Sequence, residues 1–598
     1  MRALLSGNEA VARGAYESGV RVAAAYPGTP STEIVQEFSR YEGVYAEWAP
    51  NEKVAFEVGI GASLAGVRAM VAMKHVGLNV ASDPFMTFAY TGVNRGFLLV
   101  CADDPGMHSS QNEQDNRYFA RFAQVPLLEP SSSQEAKEMV REGLRLSERF
   151  DTPSMLRLTT RISHSKGIVR LGKVSDVRPG QFTRDLKKYV MIPGFARLRH
   201  PLVLKRIEKL RAYSNRTALN RIEWGDKRVG IVSSGVAYQY AREVMPDASF
   251  LKLGLTFPLP DAKIREFSSR VKRLLVVEEL EPYLEEQILA MGIRVEGKRF
   301  FPRLDELSPE IVAEGLSNAG VLKRRSKKKA HAPASAALPR PPVMCPGCPH
   351  RSLFYALNRM KGIVLSDIGC YTLSVLPPLQ AIDSCICMGA SISMAQGVAK
   401  AIERAGLKEE RPVFAVIGDS TFLHSGVTGL MDVAYNNGNV NVIILDNRTT
   451  AMTGGQDHPG TGLTLQGDRT RQVDLRKLAD ALGIERVRVV DPYDLAGTLE
   501  VLKEEASAEG PSLIITNRPC VMMERFDPSL VHSVDPELCE GCGMCLRLGC
   551  PAIVPGEEIP SRKGGKTRRK AVIEATLCRG CAACEQICKQ GAIAKVAR

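Results

Sequence analysis

The sequence predicts a multidomain α/β protein built on doubly wound parallel sheets and ending in a small α+β domain. Three observations carry this expectation. Apolar runs of strand length alternate with helical stretches through most of the chain, the pattern of parallel sheets. One unit is clear: Pro412–Ile417 is apolar, a helical stretch follows, and Asn441–Leu445 is apolar again. Finally, eight of the fifteen cysteines fall in the last sixty residues, which points to a metal-ligating domain rather than disulfides.

A length of 598 residues suggests about four domains. We place them at 1–170, 227–322, 343–530 and 531–598, with a helical connector at 171–226 and a linker at 323–342. No apolar run is long enough to cross a membrane, and Met1 leads straight into a domain without a secretion signal. The chain is therefore expected to be cytoplasmic and to have no membrane partner. The formal charge of +13 could suggest nucleic acid, but it is concentrated in Lys323–Lys329 and Arg562–Lys570, six basic residues each. Such runs are solvated linkers or loops. No basic helix is interleaved with aromatics, so no nucleic-acid partner is expected.

In chain order, the first helix is expected from the start of the chain to about Glu17. Val20–Tyr26 is a strand, and Pro27-Gly28-Thr29-Pro30-Ser31-Thr32-Glu33 turns into a helix with hydroxyls placed to cap it. Thr29 is either a turn residue or a hydroxyl aimed at substrate. Glu47 and Glu52 precede a helix rich in small residues, Val54–Val71. Phe97–Cys101 is a buried strand whose carboxyl end opens into the polar loop Asp103–Asp115. His108 in that loop is either a loop residue or a site residue. In the middle, Arg228–Ser233 and Val271–Glu279 mark a small doubly wound domain with a structural or assembly role. Ser233-Ser234-Gly235 there could meet an anion at a helix start, although a structural turn is the more ordinary reading.

The stretch 412–457 carries the clearest chemistry. Strand–helix–strand makes the two strands parallel neighbours, so Asp419 and Asn447 emerge at one carboxyl edge, where open α/β sheets bind ligands. A carboxylate, an amide oxygen and a nearby carbonyl suit a Mg2+ that also holds phosphate oxygens. Gly418 would let the backbone approach a diphosphate closely, with Ser420 beside it. Gly-Asp-x followed about thirty residues later by Asn resembles the thiamine-diphosphate motif. Such a site needs a glutamate to hydrogen-bond the cofactor's aminopyrimidine, general acid–base work by a desolvated carboxyl. Glu52 is the candidate and Glu47 the reserve.

The cysteines fall into three sets. Cys345-x2-Cys348 is a minimal chelating pair, and with Cys370 and Cys520 it supplies the four thiolates of one [4Fe–4S] cluster. Zinc is the alternative metal, and Cys385 and Cys387 are either alternative ligands or small buried hydrophobes. In the tail, Cys539-x2-Cys542-x2-Cys545-x4-Cys550 is followed by Cys578-x2-Cys581-x2-Cys584-x3-Cys588. This is the two-cluster bacterial ferredoxin pattern, in which the fourth cysteine of each run ligates the other cluster. Cys539, Cys542, Cys545 and Cys588 would hold one [4Fe–4S] cluster, and Cys578, Cys581, Cys584 and Cys550 the other. The first run has x4 where x3 is usual, which should bulge its loop, and Lys589 stands where a proline is usual.

These stretches together resemble the 2-oxoacid:ferredoxin oxidoreductases, most closely the large (alpha) subunits of the branch that oxidises indolepyruvate. The resemblance rests on AYPGTPSTEI, ADDPGMHSSQNEQDNR, SSGVAYQY with LKLGLTFPLP, CPGCPHR, SDIGCYTL, DSCICMGASISMAQG, GDSTFLHSG, LDNRTTAMTGGQ and the cysteine tail, and it spans essentially the whole chain. It implies transketolase-like thiamine-binding domains followed by a ferredoxin-like domain. It implies that Asp419, Asn447 and the Thr449 carbonyl bind Mg2+, and that Gly389, Gly418 and Ser420 line the cofactor. It matches Glu52 to the thiamine-activating glutamate, Thr29 to a substrate-contacting threonine, and Cys345, Cys348, Cys370 and Cys520 to a proximal cluster. The implied reaction is oxidative decarboxylation of arylpyruvates such as indolepyruvate and phenylpyruvate to aryl-acetyl-coenzyme A. Electrons would pass through three [4Fe–4S] clusters to ferredoxin, and coenzyme A would be the co-substrate. A smaller beta subunit is implied as partner. Pyruvate or another 2-oxoacid, or a non-redox thiamine decarboxylase, are the alternatives. The arginine that grips the oxoacid carboxylate in pyruvate-specific relatives has no counterpart near Asp103–His108. The basic loop Arg562–Lys570 is a candidate ferredoxin contact, with plain solvation as the alternative.

Overall fold

The computed structural model describes residues 1–323, 342–405, 408–560 and 567–596. Nearly all of the expected linker at 323–342, and residues 562–566 of the basic loop, lie outside the described residues. The chain divides into two compact units, Met1–Ser335 with Leu465–Gly467, and Ala336–Thr464 with Asp468–Arg598.

The first unit is built on a seven-stranded sheet in the order Leu255–Phe257, Leu127–Leu128, Ser154–Thr159, Phe97–Asp103, Arg68–Lys74, Val20–Ala25, Tyr45–Trp48. Every pairing is parallel except that of the edge strand Leu255–Phe257. Successive residues point to opposite faces of a strand, and the two faces are both apolar. Met70, Ala72, Leu98 and Val100 pack with Val140 and Leu144 on one side. Val71, Met73, Leu99 and Cys101 pack with Phe56, Phe85 and Phe88 on the other. A sheet buried on both faces needs such continuous apolar strands, and each large apolar side chain buried there contributes about 2 kcal/mol. A second sheet, ordered Arg273–Val277, Asp226–Ser234, Ala248–Leu253, Arg221–Glu223, is parallel apart from the last strand.

Three local expectations need correction in this unit. The chain opens with a strand, Arg2–Ser6, paired antiparallel with Lys166–Arg170. The first helix begins only at Gly7, where Ser6 and Glu9 form a capping box. The helix expected over Val54–Val71 is Glu52–Leu64, and residues 68–74 are instead a central strand. In the connector, Pro193–Ser214 is the one long helix, while 171–185 has no regular structure.

The second unit carries a six-stranded sheet, all parallel, in the order Ser384–Cys385, Ile363–Ser366, Val413–Gly418, Asn441–Asp446, Ser512–Asn517, Arg486–Val490. It too is covered on both faces. Phe414, Val416, Ile443 and Leu445 meet the helix His350–Met360, and Ala415, Ile417, Val442 and Ile444 meet Ala390–Ala405 and Val427–Tyr435. The cysteine-rich tail adds two antiparallel pairs, His532–Val534 with Ile593–Lys595 and Ile553–Ile559 with Arg568–Ile573. Its Leu548, Ile553, Ile587 and Ile593 join the core beneath His350–Met360.

Candidate active site

In the second unit, Gly418 pairs with Leu445 across parallel strands. The next residues, Asp419 and Asp446, therefore stand side by side at the carboxyl edge, with Asn447 one step further. The edge anticipated from the sequence is present. Asp419 is 3 % exposed. Its Oδ1 accepts from Ser420 N at 2.8 Å and its Oδ2 from Arg448 N at 2.8 Å. Arg448 holds a left-handed φ of 59°, which turns the chain sharply after Asn447. Asn447 donates to His350 Nε2 at 3.4 Å, and its Oδ1 accepts from Thr449 N at 3.2 Å. Burial, with the Asp419 charge behind it, pushes the Asp446 carboxyl up to about 6. Burial likewise pushes His350 down to about 4, so this histidine is neutral. His458 accepts from Gly460 N through Nδ1. That leaves its proton on Nε2, a buried atom without a hydrogen-bond partner, 3.3 Å from Asp419 Oδ2.

A buried carboxylate beside a partly buried one, with the Asn447 amide one step further, is a donor set that a hard divalent cation relieves. A cleft of about 480 Å³ opens at this edge, lined by Asp419, Asp446, Arg448, His458, Arg476 and Lys477 among others. Carboxylates for a cation and basic groups for phosphate thus face one space, and the residues fit a magnesium–diphosphate group. Gly418 also packs closely within the protein: a Cβ there would lie 3.0 Å from the Tyr371 ring, whose hydroxyl accepts from Gly418 N at 2.9 Å. The glycine makes room for that tyrosine. Gly389, at φ 88°, is wedged against Ser425 and donates to the buried Asp367. Ser420 is buried and its hydroxyl accepts from Thr450 Oγ1 at 2.9 Å.

The cysteines assemble in the same unit. Cys345, Cys348, Cys370 and Cys520 lie near enough to act on one another electrostatically. Burial, then the neighbouring sulfurs, push Cys348 up to about 12 and Cys370 up to about 11. Cys385 bonds instead to Thr372 and the Asp367 carbonyl and has Cys387 as its sulfur neighbour, so this pair stands apart. Cys545 faces Cys539, Cys542 and Cys588, while Cys584 faces Cys581, Cys578 and Cys550, and beyond them Cys545. Each tail set thus draws its fourth member from the other run. The extra residue before Cys550 is absorbed by a short 3-10 turn, Cys545–Leu548, ending in Gly549 at φ 63°. Among the described residues, no three His, Cys, Asp or Glu side chains converge on the position of a single metal ion.

One residue between these sets escaped the sequence reading. Arg351 is 5 % exposed and pairs with no carboxylate among the described residues. It donates to the Cys345 carbonyl at 3.1 Å and Leu548 O at 3.3 Å, and also to Met344 O and Gly549 O. Its charge faces the sulfurs of Cys550, Cys348, Cys345 and Cys581. The only sequence signal was its place just after Cys-Pro-Gly-Cys-Pro-His.

In the first unit, the strand ends converge on a second polar edge. Glu52 is 4 % exposed and opens its helix, which Asn51 caps through Val54 N at 2.9 Å. A Cβ on Gly77 would come within 2.6 Å of Glu52 Oε1, so the carboxyl lies against the start of the helix His75–Val80. Glu47, the reserve, accepts from the Tyr45 hydroxyl in an exposed position. The Thr29 carbonyl accepts from Ser109 Oγ at 3.2 Å. The capping expectation there fails: Ser31 directs its hydroxyl back to Gly28 O and caps nothing. His108 is half-exposed, with Nε2 3.6 Å from Glu306, so Ser109 rather than His108 reaches the Thr29 turn. Ser233 and Ser234 are structural, bonded to Val277 O and Glu129. Lys74 and His75, which the sequence reading passed over, sit at the end of a central strand. Both are buried, and burial pushes Lys74 down to about 8 and His75 to about 4. Only the strand assignment could have flagged them.

Comparison with known proteins bears on both units. Residues 13–215 match the family model for "Pyruvate flavodoxin/ferredoxin oxidoreductase, thiamine diP-bdg", and residues 367–516 match "Thiamine pyrophosphate enzyme, C-terminal TPP binding domain". The chain is 41% identical to the indolepyruvate oxidoreductase subunit IorA of Pyrococcus horikoshii and 42% identical to that of Pyrococcus abyssi. Each match covers 100% of this chain and 97% of the relative. Among solved structures, the 2-oxoglutarate:ferredoxin oxidoreductase from Magnetococcus marinus aligns at 18% identity and a TM-score of 0.45, over 53% of this chain and 65% of that one. Its likeness is too low to carry an argument. With two thiamine-binding family matches and relatives of this identity along its whole length, the chain belongs to the indolepyruvate oxidoreductase subunit IorA family of 2-oxoacid:ferredoxin oxidoreductases.

Proposed function

We propose that this chain is the large subunit of an enzyme that oxidises arylpyruvates. The reaction is R–CO–COO⁻ + CoA-SH + 2 oxidised ferredoxin → R–CO–S-CoA + CO2 + 2 reduced ferredoxin + H+, with R an arylmethyl group. Bound thiamine diphosphate supplies a nucleophilic carbon and an electron sink, and three [4Fe–4S] clusters accept electrons one at a time. Asp419, Asn447 and the Thr449 carbonyl hold Mg2+. Glu52 holds a proton against the aminopyrimidine of the cofactor, and Thr29 meets the substrate. Cys345, Cys348, Cys370 and Cys520 hold the proximal cluster. Cys539, Cys542, Cys545 and Cys588 hold one tail cluster, and Cys578, Cys581, Cys584 and Cys550 the other.

The observation that carries this reading is one backbone hydrogen bond. Cys520 N donates to the Asn447 carbonyl at 3.0 Å, and the Cys520 sulfur feels the Asp419 charge. On this reading a cysteine of the proximal set is tied to a cofactor ligand, which would bring redox chemistry and decarboxylation to one edge. A smaller beta subunit and ferredoxin complete the assembly on this reading. The test is the iron, sulfide and thiamine content of anaerobically purified protein, together with steady-state rates on indolepyruvate, phenylpyruvate and pyruvate. Three clusters, one thiamine diphosphate and a preference for the aryl acids are expected. A preference for pyruvate overturns the substrate, and iron for two clusters removes the proximal set.

A further inference from the structure

We propose that Lys74 is the residue that binds the carboxylate of the 2-oxoacid. The inference rests on the function proposed above and names the group that recognises its substrate as an acid.

The first unit buries few basic side chains, and most are committed. Arg117 pairs with Asp115 and Glu278, Arg157 with Asp103 and Glu129, and Lys252 with Glu135. Arg206 donates to the Asp151 and Ala89 carbonyls. Lys74, only 9 % exposed, makes a single hydrogen bond, to Ser109 O at 3.1 Å. Among the described residues no carboxylate lies within ion-pair distance of it. An ammonium has three donors, so two N–H groups lack a protein acceptor in a place that water reaches poorly. Leaving such a charge unpaired is costly, and a bound carboxylate would relieve it.

The position suits a substrate. Lys74 ends the strand Arg68–Lys74, at the carboxyl edge where open α/β sheets bind ligands. Its stem lies on the turn before Thr29: a Cβ on Gly28 would come within 3.2 Å of Lys74 Cγ and Cδ. Any side chain at Gly28 would displace it. Glu52 and Asp104 are its charged neighbours. The Asp104 charge is already spread over Ser109 N, Ser110 Oγ and Thr160 Oγ1, so the ammonium is not consumed in balancing it. The absence of an arginine near Asp103–His108 is thereby accounted for. The cation comes from the neighbouring strand, and as a compact point charge it places fewer demands on the angle of approach than a guanidinium fork.

The test uses the full chain in the assembly in which it purifies, with Lys74→Gln, Lys74→Met and Lys74→Arg. Two inhibitors are compared: 3-phenyllactate, which carries the carboxylate, and 2-phenylethanol, which does not. The neutral variants are expected to retain thiamine diphosphate and iron but to bind phenyllactate roughly 10- to 100-fold more weakly, the worth of a charge-assisted hydrogen bond. Affinity for 2-phenylethanol should be unchanged, kcat/KM for phenylpyruvate should fall in parallel with phenyllactate affinity, and Lys74→Arg should recover most of the loss. Equal losses for both inhibitors, no loss for either, or neutral variants that fail to hold thiamine diphosphate would each make Lys74 structural and overturn the proposal. Wild-type protein that turns over no 2-oxoacid would instead overturn the functional reading beneath it.

Discussion

Replacing Arg117 with Met tests the buried charge network behind the loop Asp103–Asp115. The guanidinium is 1 % exposed. It donates to Asp115 at 2.5–3.0 Å, to Glu278 at 2.6 Å, and to the carbonyls of Glu279 and Glu281 at 2.9 and 3.0 Å. Its face lies 4.9 Å from the centre of the Tyr283 ring. Methionine fills much of the volume and supplies none of this. Asp115 would keep Arg157, at 3.9 Å, as its only cation among the described residues, with the backbone N–H groups of residue 117 and Glu281 at 3.1 and 3.4 Å. Glu278 would keep only the backbone N–H groups of Leu284 and Glu285 and the more distant Lys298 charge. Breaking a buried ion pair by removing one partner costs about 3–5 kcal/mol, because the other charge stays buried. At 1.4 kcal/mol per tenfold, local opening becomes roughly 100- to 4000-fold more frequent. A global unfolding energy is ill-defined in a chain of several domains, so the assay is hydrogen exchange at residues 103–117 and 278–284, where protection should fall by that factor. Adding Glu278→Gln should recover part of the loss, since the uncompensated carboxylate is its source. Protection equal to wild type, or strictly additive effects of the two substitutions, would refute the reasoning.

Four further outcomes are expected. Asp419→Ala should lose thiamine diphosphate affinity by more than the roughly 100-fold that an outer-shell partner can cost, measured by equilibrium binding at fixed Mg2+, while the circular dichroism of the sheet is kept. Cys520→Ser should remove about four iron atoms per chain and Cys385→Ser none, by colorimetric iron analysis; equal losses would return Cys385 to the ligand set. Arg351→Met withdraws donors from four carbonyls around two cysteine sets and a positive charge from their sulfurs, so both associated reduction potentials should fall in an EPR-monitored titration, with Arg351→Lys closer to wild type. His75, ordinarily near 6.5, is held down at about 4 by burial. Below 6.5 the unfolded chain takes up a proton that the folded one refuses, so stability is full above pH 6.5 and declines as pH falls towards 4, by at most about 3 kcal/mol. His75→Gln should flatten that part of the pH profile of thermal melting of the first unit.

The register of Asp419 beside Asp446 and Asn447 was legible because a strand, a helix and a strand of ordinary length leave a parallel pair little freedom. The grouping of the tail cysteines was legible because close spacing in sequence forces closeness in space. What escaped was assembled by tertiary closure. Arg117, Arg157 and Glu278 come from separate elements, and no local pattern distinguishes them from surface charges. Lys74 reads as a polar residue after an apolar run, and its meaning appears only once Gly28 and Ser109 pack around it. The strand Arg2–Ser6 is five residues long and its partner, Lys166–Arg170, lies far along the chain, so the helical pattern that follows absorbed it. Gly418 stands out in the sequence as a place of close approach, and its contact with Tyr371 could be seen only in the fold.

The exchange of fourth cysteines between the two tail runs sets a timetable for biosynthesis. Cys539, Cys542 and Cys545 leave the ribosome together, and the thiol that completes their set, Cys588, leaves it last of the eight. At about 5–20 residues per second, three thiols wait on the order of seconds without their fourth. Cys550 waits in the same way for Cys578, Cys581 and Cys584. On the proposed ligand sets, neither tail cluster could close while the tail is still emerging, and the two would be loaded as one late event. A ribosome that stalls within this interval leaves a chain whose thiamine-binding sheets are complete and whose tail cysteine sets are both still short of members.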